Sequence, residues 1–188
     1  MADPGEGTAG GAPRIVPLQA GDVDALTAVM TRAFDDDAQR HLGAPKGGPP
    51  GYDNGEFLRG YGLDPQARAF VAVLEGRPVG AIIVFPREDG HHVLGGLFTD
   101  PAVQRRGIGA ALFRFVEDRF PARSWTLETP AFATSNHRFY EEKCGFRKAG
   151  ERADPSGADG TDGVGEPDGV GTMFVFEKAG GTTRGGDA

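Results

Sequence analysis

Six consecutive residues, Gln104-Arg105-Arg106-Gly107-Ile108-Gly109, have the composition of an anion-binding turn. The first turn of a helix leaves N–H groups without intrahelical partners, and the helix dipole adds partial positive charge there. Glycine at 107 and 109 removes the Cβ atoms that would keep a pyrophosphate from those N–H groups. Arg105 and Arg106 add guanidinium groups, whose geometry suits phosphate oxygens. Two other glycine-loop readings fail on spacing. A G-x-G-x-x-G fingerprint would need glycine where Leu112 stands, and no G-x-x-x-x-G-K-S/T is present. An R-G-x-G turn is also an ordinary helix start, so on its own the hexapeptide leaves both meanings open.

The turn needs a strand before it and a helix after it, and the sequence supplies both. His92–Thr99 (HVLGGLFT) reads as a strand with a glycine pair inside it, a mark of a bulge or of close backbone approach. From Ile108 a helix follows, with Leu112, Phe115 and Val116 on the same face, and Pro121 ends it. Upstream, Arg14–Val16 is a short strand, and Asp22 can cap a helix carrying Leu26, Val29, Met30, Ala33 and Phe34. A short second helix is expected near Tyr52–Leu58, after the glycine- and proline-rich stretch 43–51. Ala69–Leu74 and Val79–Phe85 form a hairpin about Glu75-Gly76-Arg77-Pro78. Downstream come a strand over Trp125–Thr129, a helix over Ser135–Lys143 stopped by Gly145, and strands over Phe146–Ala153 and Met173–Glu177. The order is β-α-α-β-β-β-α-β-α-β-β, a mixed α/β domain.

Composition bounds the function. The chain has 188 residues, enough for one domain with a real core. Residues 1–13 and 179–188 lack apolar periodicity and are expected to be disordered tails, leaving a domain over 14–178. A net charge of −7 argues against a nucleic-acid partner. No apolar run approaches the ~20 residues of a membrane span, and no signal peptide opens the chain. A cytoplasmic protein without membrane attachment is the expectation. Cys144 is the sole cysteine, so no intramolecular disulfide can form, and none of the four histidines has metal-ligand spacing. No metal is expected.

From Leu97 to Phe146 the chain resembles the GNAT superfamily of N-acetyltransferases. The residues that carry the likeness are Leu97-Phe98-Thr99-Asp100-Pro101, the turn 104–109, Leu127-Glu128-Thr129, and Phe139-Tyr140-Glu141-Glu142-Lys143-Cys144-Gly145-Phe146. The resemblance implies the GNAT fold, a central, mostly antiparallel sheet splayed at the cofactor site. It implies acetyl-CoA (coenzyme A) as co-substrate. The pyrophosphate would sit on Gln104, Arg105, Arg106, Gly107, Ile108, Gly109 and Ala110, and the pantetheine arm would pair with the strand bearing Phe98 and Thr99.

Acyl transfer to an amine needs a base for the nitrogen, donors for a tetrahedral oxyanion and an acid for the departing thiolate. Tyr140 occupies the family's general-acid position. A phenol of pKa near 10 suits a thiolate whose thiol has a pKa of about 8.5, although Tyr140 could equally be the aromatic that packs its helix. Glu128 is the base candidate, twelve residues before the tyrosine, as in relatives resembling ribosomal-protein acetyltransferases. Strand alternation puts it opposite Leu127, where a merely solvated carboxylate would also sit. His91 and His92 flank a strand where other members place a base, and they read as surface residues. The family often has an asparagine seven residues before the tyrosine. Here that position is Ala133, and Asn136, four residues before Tyr140, is the substitute cofactor contact.

The acceptor would be a primary amine of a small molecule or peptide, attacking directly in a ternary complex. In this fold it is lined by segments 35–62 and 154–171, which hold Asp35, Asp36, Asp37, Asp53 and Glu56 near Tyr52, Phe57 and Tyr61, and then five further acids. Such a mixture suits a cation, but acidic loops are also the default on an acidic protein. The loop 154–171 is far longer than a hairpin needs, so it is either a mobile lid over the bound amine or a disordered, tolerated insertion. Two other classes stay open: a non-catalytic acyl-CoA-binding GNAT-fold module, and an unrelated phosphate-binding protein. The oligomeric state is open too, a homodimer among the options.

Overall fold

The computed structural model describes residues 11–154 and 171–181. The loop 154–171 falls almost wholly outside these residues, as do most of the two expected tails. Seven strands form one sheet in the order β1-β2-β3-β4-β5-β7-β6. They are β1 (Arg14–Pro17), β2 (Arg68–Leu74), β3 (Arg77–Phe85), β4 (His91–Thr99), β5 (Ser124–Pro130), β6 (Arg147–Ala153) and β7 (Thr172–Ala179). Every neighbouring pair is antiparallel except β4 and β5. The expected element order holds throughout. β7 runs one residue past the expected boundary at 178, and the Gly180 N–H then donates to the Arg123 carbonyl at 2.7 Å.

Helix α1 (Val23–Leu42) covers one face of the sheet with a stripe of Leu26, Met30 and Ala33, packed on Val71, Ala81, Ile83 and Phe98. Helix α2 (Ile108–Arg119) covers the other face with Ile108, Leu112, Phe113 and Val116, packed on Ile82, Val84, Leu94, Trp125, Leu127 and Phe176. Period 3.6 in the helices and period 2 in the strands explain why these patterns were legible. The β2–β3 turn is tighter than the four residues suggested. Glu75 (φ 52°) and Gly76 (φ 77°) alone form it, the paired positive φ values of a two-residue hairpin. The expected second helix is a single wide turn at Leu58–Gly62, following two helical residues. The helix expected over 135–143 is α3 (Thr134–Phe139), and it widens into a π-turn at Tyr140–Cys144.

The glycine pair in β4 is a bulge. Ile83 faces Gly96 and Val84 faces Leu94, which leaves Gly95 as the extra residue. The bulge shifts the side-chain alternation. Leu94 and Leu97, three apart, both point toward α2, while Phe98 turns to α1. A Cβ on Gly95 would come within 2.6 Å of Phe85 and 2.9 Å of the Tyr61 ring, so only glycine fits there.

Candidate active site

Among the described residues the one parallel pairing is short. β4 and β5 run together only from His91–Leu94 against Ser124–Leu127. Beyond Leu94 and Leu127 they diverge, β4 paired with β3 alone and β5 with β7 alone. The inner edge of β4 from Gly95 to Thr99 therefore presents backbone N–H and C=O groups with no strand opposite among the described residues. Such an edge accepts an extended ligand carrying amide groups.

At the open end of that edge stands the hexapeptide. Asp100 accepts from the Ala102 N–H and from the guanidinium of Arg32 on α1, which holds its carboxyl below the usual range against the opposing effect of burial. Gln104 accepts from Arg40 Nη1 at 3.4 Å. Gly107, with φ 79°, precedes α2, whose first turn receives no side-chain cap. Arg105 and Arg106 are exposed and form no ion pair with any described residue. Uncapped N–H groups, a helix dipole and two guanidiniums without a described ion-pair partner, all in one turn, are features that suit an anion. The two glycines differ in purpose. A Cβ at Gly107 would meet nothing, and its left-handed φ explains the residue. At Gly109 a Cβ would lie 3.1 Å from the Phe139 ring, so this glycine also serves the approach of α3 to α2.

Tyr140 lies on the α2 side of the sheet, against Phe139, Phe146 and Phe176. It packs, as an aromatic should, yet its hydroxyl makes no hydrogen bond to any described residue. No buried side-chain polar atom among the described residues lacks a partner. The hydroxyl therefore opens to solvent. Burial first, then the charges of Cys144 and Asp37, pushes the phenol above its usual value, so it stays protonated. Burial also pushes the Cys144 thiol up to about 12, which removes it as a thiolate nucleophile at neutral pH.

Glu128 is exposed, and the alternation holds: Trp125, Leu127 and Thr129 are buried on the α2 side. Its carboxylate faces the α1 side and is held by Arg152 of β6. Asn136 is half-buried on α3, and its side chain makes no hydrogen bond to a described residue. The two histidines divide. His91 is exposed and bonds Ser124 at 2.7 Å, whereas His92 is buried against Trp125 and its Nδ1 accepts from the Arg87 N–H. His92 is thus a core residue, contrary to the expectation of a surface one.

Several acids expected at the acceptor side are occupied. Asp35 accepts from the Tyr52 hydroxyl at 2.7 Å and the Gly47 N–H, Asp36 pairs with Arg40, and Asp53 lies 4.0 Å from Lys46. Sequence reasoning missed one group. Asp37 and His41 meet each other at 3.4 Å, and His41 Nε2 meets Ser135 Oγ of α3 at 2.9 Å. A run of three aspartates conceals that the third lies on the inward stripe of α1. The described residues contain no cluster of His, Cys, Asp or Glu arranged to hold a metal, and no helix among them is long and apolar enough to cross a membrane. Two grooves, of about 480 and 490 Å³, lie at the opposite end of the sheet, around Gly90 and Arg123 and around Leu63 and Phe120.

A model of the acetyltransferase (GNAT) family matches residues 28–146, more than half of the chain. The chain belongs to the GNAT acetyltransferase family. A GNAT fold is also what solved structures share with it. The ribosomal-protein-S18-alanine N-acetyltransferase of Escherichia coli has a TM-score of 0.66 at 20% identity, over 89% of this chain and 93% of that one. The PaiA N-acetyltransferase of Thermoplasma acidophilum, solved in complex with coenzyme A, has a TM-score of 0.62 at 16% identity, over 89% and 99%. Among curated proteins, the uncharacterized protein YrkN of Bacillus subtilis is 30% identical over 84 residues, a match that spans 44% of this chain and 45% of YrkN.

Proposed function

We propose that this GNAT protein transfers an acetyl group from acetyl-CoA to a primary amine of a small molecule or peptide, by direct attack in a ternary complex. The observation that carries the proposal is the end of β4–β5 pairing at Leu94 and Leu127, beside the uncapped start of α2. Pantetheine would lie along the free edge of β4, near Phe98 and Thr99. Its two amides would pair with backbone there, and the bulge at Gly95 would turn that backbone toward them. The pyrophosphate would meet the first-turn N–H groups from Ile108 to Ala110, with Gln104, Arg105 and Arg106 around it. Asn136 would face the same ligand from α3. The PaiA protein's complex with coenzyme A supports a CoA ligand for this fold.

In this reading Tyr140 is the acid. Its phenol is protonated throughout the physiological range, and its hydroxyl opens toward solvent from an otherwise apolar setting. Glu128 is the base, acting on the ammonium from the α1 side once Arg152 releases it. The acceptor enters from that side, past Tyr61, a residue 43% exposed whose ring packs tilted against Phe57 and edge-on against Phe85 beside the bulge. The test is calorimetry with acetyl-CoA, CoA, ATP and NAD. Thiol release would then be measured with tyramine, spermidine, lysine and an alanyl tripeptide. Tight CoA binding with amine-dependent thiol release is expected. CoA binding without turnover on any amine would favour a non-catalytic module, and preference for ATP or NAD would overturn the ligand itself.

A further inference from the structure

Among the described residues only Glu75 and Arg105 have a positive φ without being glycine. Glu75 belongs to the β2–β3 hairpin, whose geometry asks for it. Arg105, with φ 63°, stands inside the turn 104–109. The left-handed region is costly for a residue with a Cβ, which persists there only where its surroundings impose it. The Arg105 side chain is exposed and forms no ion pair with a described residue, so the constraint comes from its neighbours. Upstream, Asp100 is tied to three elements. Its N–H donates to the Val79 carbonyl of β3 at 2.8 Å, and its carbonyl accepts from the Val103 N–H at 3.0 Å. Its Oδ1 accepts from the Ala102 N–H at 3.0 Å, and its Oδ2 from Nε (3.2 Å) and Nη2 of Arg32. Four residues on, Gln104 accepts from Arg40 Nη1 at 3.4 Å, and Arg40 Nη2 pairs with Asp36 at 2.8 Å. Arg32, Asp36 and Arg40 lie at i, i+4 and i+8, one ridge of α1. Helix α1 thus grips both ends of the segment 100–104 that leads into the left-handed residue.

Building on the reading above, in which this turn receives the pyrophosphate of CoA, we infer that Arg32 is a positioning residue for cofactor binding. Through Asp100 it holds the segment 100–104, and with it the left-handed turn at Arg105, in the shape that the pyrophosphate meets. It acts at a distance from the ligand, by way of its partner. Ordering the turn before the ligand arrives removes that cost from binding, so the effect falls on affinity. The Arg32 side chain is 53% exposed, and a pair with one partner so open contributes little to folding. A simpler role would be long-range attraction, with Arg32 serving only as one more positive charge near the phosphates. The two roles differ in sign at Asp100. Attraction alone makes the Asp100 carboxylate a repulsive charge, whose removal would tighten CoA binding. A tether makes the same carboxylate the link, whose removal loosens it.

The test is calorimetry of the full chain with CoA. Asp100→Asn keeps an oxygen for the Ala102 N–H and loses the ion pair, and its CoA affinity should fall at least ~5-fold. Arg32→Ala should lose as much while melting as the wild type does, and Arg32→Lys should lie between the two. The double variant should lose no more than about twofold beyond either single one, because the two residues form one tether. With whichever panel amine reacts, the loss should appear in KM for acetyl-CoA, with kcat within about twofold of wild type. Without any ligand, amide hydrogen exchange over 102–107 should be faster in Arg32→Ala and unchanged in β3 and β5. Unchanged CoA affinity in Arg32→Ala would overturn the tether. Tighter binding by Asp100→Asn would do the same, as would losses that add in the double variant. If the wild type binds CoA and the variants match it, the tether falls and the pyrophosphate reading stands. If the wild type binds no CoA, both fall together.

Discussion

Gly109 faces Phe139 across the contact between α2 and α3. A Cβ built on the glycine would stand 3.1 Å from the ring and 3.9 Å from Thr99 Cγ2. One residue thus belongs both to the first turn of α2 and to the packing that sets the helix carrying Tyr140. Gly109→Asp adds a carboxylate near the proposed phosphate and pushes on Phe139 as well. CoA affinity should fall at least tenfold, or roughly 1.4 kcal/mol. To separate the two causes, the substitution is repeated with Phe139→Leu, which makes room. Calorimetry should show the tenfold loss in both backgrounds. If the double variant binds CoA normally, packing was the whole effect and the phosphate assignment at Gly109 is wrong.

Tyr140→Phe keeps the ring and its contacts with Phe139, Phe146 and Phe176 and removes only a hydroxyl that bonds no described residue. Thermal stability should therefore change by less than ~0.5 kcal/mol, the range of substitutions that disturb no packing. The acid role instead requires kcat to fall ~10²-fold. Turnover within about threefold of wild type, with chemistry rate-limiting, would leave Tyr140 as a packing residue.

Much of this arrangement was legible beforehand, for reasons that differ by residue. Strands such as Ala69–Leu74 and the α2 stripe follow from period, and the turn 104–109 follows from residue type. The bulge was one of two readings of Gly95-Gly96, and only the register of β3 against β4 decided between them. His92 was misjudged because adjacent histidines look alike in sequence, while alternation buries one and exposes the other. Asp37 was hidden by Asp35 and Asp36. Helical phase separates the three, but a run of like charges reads as a solvated face until the length of α1 beyond its apolar contacts is known.

The pair of Glu128 with Arg152 is exposed on both sides, so it should contribute little to stability. Its expected importance is kinetic. Glu128→Gln should lower kcat/KM for the reactive amine by at least ~10-fold at neutral pH, as loss of a base would. Arg152→Ala should leave kcat intact and should not raise KM, because it frees the carboxylate. Steady-state kinetics on the two variants decide it. Glu128→Gln with normal kcat/KM would remove Glu128 from the mechanism.

The buried His92 makes stability depend on pH in a direction that its contacts fix. Its Nδ1 accepts from the Arg87 N–H, which puts the proton of the neutral ring on the other nitrogen, toward the Pro121 carbonyl. The neutral ring is thus satisfied at Nδ1 and packed edge-on against Trp125. Protonation would turn the acceptor into a donor facing a donor, in a buried place. Burial accordingly lowers its pKa from the ordinary 6.5, and the Pro121 carbonyl and then Asp89 oppose this only in part. The folded form then binds its proton less readily than the unfolded chain does. Between the two pKa values the unfolded chain holds more protons, so stability rises with pH across that window. The contribution is complete above about 6.5 and is lost as pH falls from there toward the lowered value. His92→Asn keeps an acceptor near the position of Nδ1 but does not titrate. It should be less stable at every pH, having lost the ring contact, and it should lose less stability than the wild type between pH 7.5 and 5.5. Urea denaturation at both pH values measures the difference. An equal loss in both proteins would mean that other groups, and not His92, govern the acid limb.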